Sequence, residues 1–142
     1  MTLAEALARH PGAEAFTFGD GPELCARLLA LVRSGVKTAT CGALRDFEAG
    51  GEAMPVTGGR AVALDWNGAP ALVIETTEVA LRAFRDVPED FALAEGGTFE
   101  EWREGHEAFF ARNGGFHPGM MLVCERFRLV EDFAAKAGAR RA

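Results

Sequence analysis

The chain has 142 residues, 49% of them hydrophobic and 25% charged, with a formal net charge of −6. This is the length of one domain with its own core and the make-up of an ordinary globular protein, and no run reaches the roughly 20 apolar residues of a membrane helix. An acidic chain lacks the field needed to grip long nucleic acid through many phosphates, so duplex DNA is not an expected partner, and small polar ligands or single nucleosides fit better.

The negative excess is local. Eight acids face two bases between Arg85 and Glu107, and acids and bases balance elsewhere, which leaves room for a basic patch outside that segment. Lysine is scarce in a different way: of 15 basic residues only Lys37 and Lys136 are lysines. Arginine stays charged, whereas a desolvated lysine can lose its proton and act as base or nucleophile. Lys37 therefore stands out as a residue kept for its chemistry, with chance composition as the plain alternative.

From the N-terminus, Thr2-Leu3-Ala4-Glu5 is a capping box that predicts a short helix. With Glu5 and no long apolar stretch, this segment does not read as a secretory signal, and a cytoplasmic location is expected. Gly19-Asp20-Gly21-Pro22 predicts a second helix start, Leu24, Leu28 and Leu31 or Val32 recur at helical spacing, and Gly35 is the stop. Lys37 then falls at a helix-to-strand junction.

Residues 43–59, with Gly50-Gly51, Pro55 and Gly58-Gly59, read as loop with a helical turn. Segments 60–66 and 71–79 are β-rich, the Asn67-Gly68 pair between them predicts a hairpin, and 81–84 continue the sheet. Asp86-Val87-Pro88-Glu89 opens a short helix that ends near Gly96-Gly97. Thr98-Phe99-Glu100-Glu101 caps a firmer one, with a stripe of Phe99, Trp102, His106, Phe109 and Phe110, stopped by Asn113-Gly114-Gly115. Residues 120–130 form the last strand. Helices inserted among strands without regular β-α alternation predict an α+β fold with a small, mostly antiparallel sheet or barrel.

Cys25, Cys41 and Cys124 are odd in number, far apart and without zinc spacing, so free thiols and no metal site or cofactor are expected. Cys25 and Cys124 sit in apolar segments and read as core; Cys41, beside the lysine segment, is placed to line a site. Glu95 falls at the end of the short helix, where exposed carbonyls disfavour a carboxylate. If it is also buried its pKa should rise and suit proton transfer; otherwise it is a solvated helix-end acid. Thr38 and Thr40 are the candidate hydroxyls, although β-propensity alone explains both. A regular strand would send Lys37 and Thr40 to opposite faces. His106 is a stripe residue that reads as packing or site. Trp66 and Trp102 could stack on a base, with aromatic core as the alternative.

The ordered segments Phe18-Gly19-Asp20, Gly35-Val36-Lys37-Thr38-Ala39-Thr40-Cys41, Ile74-Glu75-Thr76-Thr77-Glu78-Val79, Glu95-Gly96, Glu101-Trp102-Arg103-Glu104-Gly105-His106 and Leu122-Val123-Cys124-Glu125-Arg126-Phe127 together resemble the ASCH domain family, in its longer bacterial branch. The resemblance spans residues 16–130 and leaves 1–15 as a helical extension and 131–142 as a tail. It implies a PUA-like β-barrel with flanking helices and a role near RNA or nucleotides, with a small nucleoside or single-stranded RNA as partner. Short bacterial members hydrolyse N4-acetylcytidine with a lysine, a threonine three residues on, and a distant glutamate. Carried over, this implies Lys37 as neutral base, Thr40 as nucleophile and Glu95 as proton carrier; Thr38, Arg45, Trp102 and His106 are the expected substrate contacts. The alternatives are an RNA-binding module without catalysis and a ribonuclease using the same cleft. The family motif G-x-K-x-x-(E or T)-x-R puts an arginine where this chain has Gly42, and Arg45 is expected to take over its contact.

Overall fold

The computed structural model describes residues 1–48 and 50–134. Among these residues, four α-helices, α1 (Leu3–Arg9), α2 (Pro22–Arg33), α3 (Glu89–Ala94) and α4 (Phe99–Arg112), accompany five strands, β1 (Glu14–Thr17), β2 (Ala39–Ala43), β3 (Arg60–Leu64), β4 (Pro70–Ala83) and β5 (Met121–Asp132). The strands form one sheet in the order β1-β3-β4-β5-β2, curved into a half-barrel. All neighbours are antiparallel except β1 and β3. The fold is α+β, as the inserted helices predict.

Local chemistry sets the elements. Thr2 and Thr98 both close complete capping boxes, with Glu5 and Glu101 respectively. Pro22 occupies the first turn of α2, and Gly35 follows its end with φ +82°, a conformation only glycine adopts without strain. The turn at Asn67-Gly68 joins β3 to a β4 that runs unbroken from Pro70 to Ala83. Strand β1 was not expected: it starts at Glu14, inside the segment read as helical extension, and pairs in parallel with β3. Lys136 and the rest of the tail from residue 135 lie outside the described residues.

Both faces of the sheet are packed. On one, Cys25, Leu29 and Val32 of α2 bury against Phe18, Leu72, Ile74 and Phe127. On the other, α1 packs Ala6 near Val62 and Val73, while α3 and α4 bring Phe91, Trp102 and Phe110 onto Ala39, Ala43, Leu122 and Cys124. Trp66, one of the two tryptophans read as core, is instead 47% exposed at the hairpin turn, where no second layer reaches it. Cys25 and Cys124 are buried free thiols, as expected.

A candidate active site around Lys37

Lys37 lies in the connection between α2 and β2. Its backbone N–H donates to Leu31 O, so it leaves α2 directly, and Thr38 N–H donates to Ala94 O at 2.7 Å, which docks the incoming strand on the end of α3. Thr38 O accepts from Phe127 N–H and starts the pairing with β5. Lys37 thus comes from the α2 side of the sheet while α3 delivers Glu95 from the other, and they meet at the edge formed by β2.

There Lys37 Nζ donates to Glu95 Oε1 at 3.0 Å and to Ala39 O at 2.8 Å. Both residues are sealed, Lys37 2% and Glu95 6% exposed. Trp102 Nε1 donates to Glu95 Oε2 at 2.8 Å, and the Phe18 ring lies 5.6 Å from Nζ. His106 stacks on Trp102 with ring centroids 4.4 Å apart. A carbonyl oxygen can only accept, so His106 Nδ1 is the donor to Trp102 O at 2.7 Å, and its Nε2 faces Glu95 Oε1 at 3.5 Å. The Cys41 thiol, on the same side of β2, has its sulfur within 4.8 Å of a Glu95 oxygen and is pushed well above its usual pKa by burial and by that carboxylate.

The surroundings reverse one expectation. Glu95 is buried, and burial alone would raise its pKa; Lys37, then His106 and the Trp102 indole, outweigh burial and hold it down to about 2. Glu95 is therefore a fixed anion rather than a group poised to carry a proton. The helix-end argument counted unfavourable carbonyls but not the ammonium that the α2–β2 connection brings to the same end.

Four of the seven residues singled out in the sequence, Lys37, Glu95, Trp102 and His106, form one cluster. Trp102 is only 3% exposed and is stacked between Phe84 and His106, so its ring faces are taken and it orients Glu95 instead of stacking on a base. Thr38 is exposed, and its contribution is through its backbone. Thr40 is half-buried on β2, opposite Glu125 of β5 in register, on the face away from Cys41 and the packing of α3. Arg45 does not replace the arginine missing at Gly42: its guanidinium donates to Asn113 O and Gly115 O and ties the end of α4. A side chain at position 42 would start 3.0 Å from the Phe47 ring, so anything larger than glycine there needs that ring to shift.

Two residues quoted in the sequence only as parts of the resembling segments, and given no role there, also meet. Thr76 Oγ1 donates to Glu125 Oε2 at 2.5 Å. Burial raises the pKa of Glu125, opposed by the Thr76 hydrogen bond and by the charge of Lys37. The available signal was an acid in the middle of the apolar run of β5. As for metals, Cys41, Glu95 and His106 each bring one donor atom within 4.8 Å of the others, but an ion there would have to displace Lys37 from Glu95.

Comparison with known proteins agrees with this architecture. A family model described as the ASCH domain matches residues 14–131. The crystal structure of an ASCH domain from Lactobacillus crispatus JV V101 is 30% identical, with a TM-score of 0.78 over 89% of this chain and 85% of that one. A crystal structure of a protein from Enterococcus faecalis V583 is 34% identical, with a TM-score of 0.82 over 95% of this chain and 89% of the other. No curated protein matches significantly. No helix among the described residues is long and apolar enough to cross a membrane. On the family match and the shared fold, the chain belongs to the ASCH domain family.

Proposed function

We propose that this protein is an amidohydrolase acting on an N-acylated, cytidine-type nucleoside, with Thr40 as nucleophile and no metal ion in the chemical step. The observation that carries this reading is the buried Lys37–Glu95 pair at the start of the strand that presents Thr40. Removing two charges from water costs several kcal/mol per ion even after relaxation, and an apolar pair of the same volume would pack there without that cost. Carboxylates whose pKa is strongly perturbed by burial and a charge partner, as Glu95 is, cluster at functional sites.

In the proposed reaction Thr40 Oγ forms a bond to the acyl carbon, the carbon–nitrogen bond to the cytosine amine breaks, and water then cleaves the acyl-threonine ester. Lys37 takes part through its fixed positive charge, since Nζ is directed at Ala39 O and Glu95 and not at Thr40. Trp102 and His106 hold Glu95, and Glu95 holds Lys37.

RNA binding and RNA cleavage through the same residues both need Lys37 to meet a phosphate, which its 2% exposure opposes. The test is hydrolysis of N4-acetylcytidine by the purified protein, followed by mass spectrometry, beside a Lys37→Arg variant. Arginine keeps the charge but cannot place one compact ammonium between Ala39 O and Glu95. Loss of turnover with retained folding is expected, and an equally active variant would remove Lys37 from the mechanism. RNA affinity that falls steeply with salt, without nucleoside turnover, would favour the binding module.

A further inference from the structure

Glu95 is the glutamate that the family resemblance offers as proton carrier, yet it is enclosed by Lys37, Trp102, His106 and Cys41 on the side of β2 away from Thr40. A second carboxyl stands on the Thr40 side. Thr40 and Glu125 are direct register partners across β2 and β5, so their side chains leave the same face with Cβ atoms about 4.5–5.5 Å apart. Thr76, from β4 on the other flank of β5, fixes one oxygen of Glu125 with a 2.5 Å hydrogen bond and leaves the other available. Both Thr40 and Glu125 are half-buried, and Leu81, two residues from the Glu125 partner Val79 on the same face of β4, is 52% exposed. Thr40 and Glu125 are thus not sealed, which leaves room for a substrate group to approach them.

We propose that Glu125 is the proton-transfer residue of this site, oriented by Thr76, with Glu95 confined to positioning Lys37. The proposal rests on the reading of Thr40 as nucleophile. As Thr40 Oγ bonds to the acyl carbon, its proton passes to the Glu125 carboxylate. When the carbon–nitrogen bond breaks, the Glu125 carboxylic acid returns that proton to the departing amine. Water attacking the ester gives one proton to Glu125, which passes it back to Thr40 Oγ as the acid leaves, so the enzyme ends as it began. Burial raises the pKa of Glu125 in the direction that suits a group taking and returning a proton near neutral pH.

The experiment uses p-nitrophenyl acetate as acyl donor and measures acid-quenched acetylation of Thr40 by peptide mass spectrometry. In the wild type Thr40 should be labelled. Glu125→Gln, nearly isosteric, should slow labelling by about 100-fold or more, the usual contribution of a general base. Glu125→Ala should recover part of the rate when formate is added, which a merely structural role would not produce. Thr76→Val should label several-fold more slowly, and it serves where the Glu125 variants fold poorly. Labelling of Glu125→Gln at the wild-type rate, or no label on wild-type Thr40, overturns the proposal. If acetylcytidine stays intact while Thr40 is labelled in a Glu125-dependent way, the nucleoside assignment fails and the role of Glu125 stands.

Discussion

Glu95→Gln tests the electrostatic argument most directly. The substitution keeps the shape of the side chain and an acceptor for the Trp102 N–H, but leaves the Lys37 ammonium 2% exposed without a countercharge. Two unit charges 3.0 Å apart attract by about 5 kcal/mol at an effective dielectric of about 20. The amide is cheaper to bury than the carboxylate, which offsets part of this. Breaking one side of a buried pair costs about 3–5 kcal/mol, and that is the expected loss at pH 7. With a urea m-value of about 2 kcal/mol per molar, the midpoint should fall by about 2 M. The pH dependence follows from the folded pKa of Glu95, about 2, which lies below its ordinary 4.5. A depressed carboxylate pKa stabilises the fold above pH 4.5, and that contribution fades as pH falls towards 2; the depression corresponds to about 3 kcal/mol. The gap between wild type and variant should therefore be widest at neutral pH and narrow below pH 4.5. Circular dichroism during urea titration at several pH values reads this out. Pairing Lys37→Met with Glu95→Leu should restore most of the stability, because neither charge is then buried alone. A single-variant loss below about 1 kcal/mol, or one that does not change between pH 7 and pH 3, would refute the reasoning.

Two further outcomes follow from the same geometry. Trp102→Phe keeps the stack between Phe84 and His106 but removes the donor to Glu95 Oε2; it should cost about 1–3 kcal/mol in urea unfolding, and a cost near zero would mean that the indole bond does not hold Glu95. Gly35→Ala should cost only about 1 kcal/mol, or a few degrees in Tm, because φ is +82° while no heavy atom lies within 4 Å of the new Cβ. Gly19→Ala should cost more in the same thermal assay, since there a Cβ would also stand 2.8 Å from Leu24 Cγ. Equal losses would show that backbone conformation alone governs both sites.

What could be read from the sequence was what neighbouring residues decide. The capping boxes at Thr2 and Thr98, the glycine stop after α2 and the Asn67-Gly68 hairpin are each settled within a few residues, and all appear where the chain spells them. Strand β1 failed that condition: four residues are too few for a periodic pattern, and its partner β3 starts some 45 residues later and runs parallel. Trp66 was misread because composition sees a tryptophan, whereas the turn beside it leaves that ring outside both packed layers. Arg45 was assigned by analogy to a missing arginine, but its length and position carry it to the carbonyls after α4.

The sequence names four residues that the fold brings together, Lys37, Glu95, Trp102 and His106, but not what each does there, for one reason. Glu95 and Glu125 are chemically identical, and neither the helix end around one nor the strand around the other fixes its charge. The fold brings Lys37, Trp102 and His106 from two other segments to Glu95, whereas Glu125 takes a hydrogen bond from Thr76, with Lys37 acting on it more weakly against burial. Their pKa values are consequently pushed apart, one down and one up, and such a divergence separates an electrostatic anchor from a proton carrier. The family resemblance supplies the lysine, the threonine and a glutamate. In the proposed reaction, which glutamate would move the proton depends on which face of β2 each one shares, and Thr40 shares its face with Glu125.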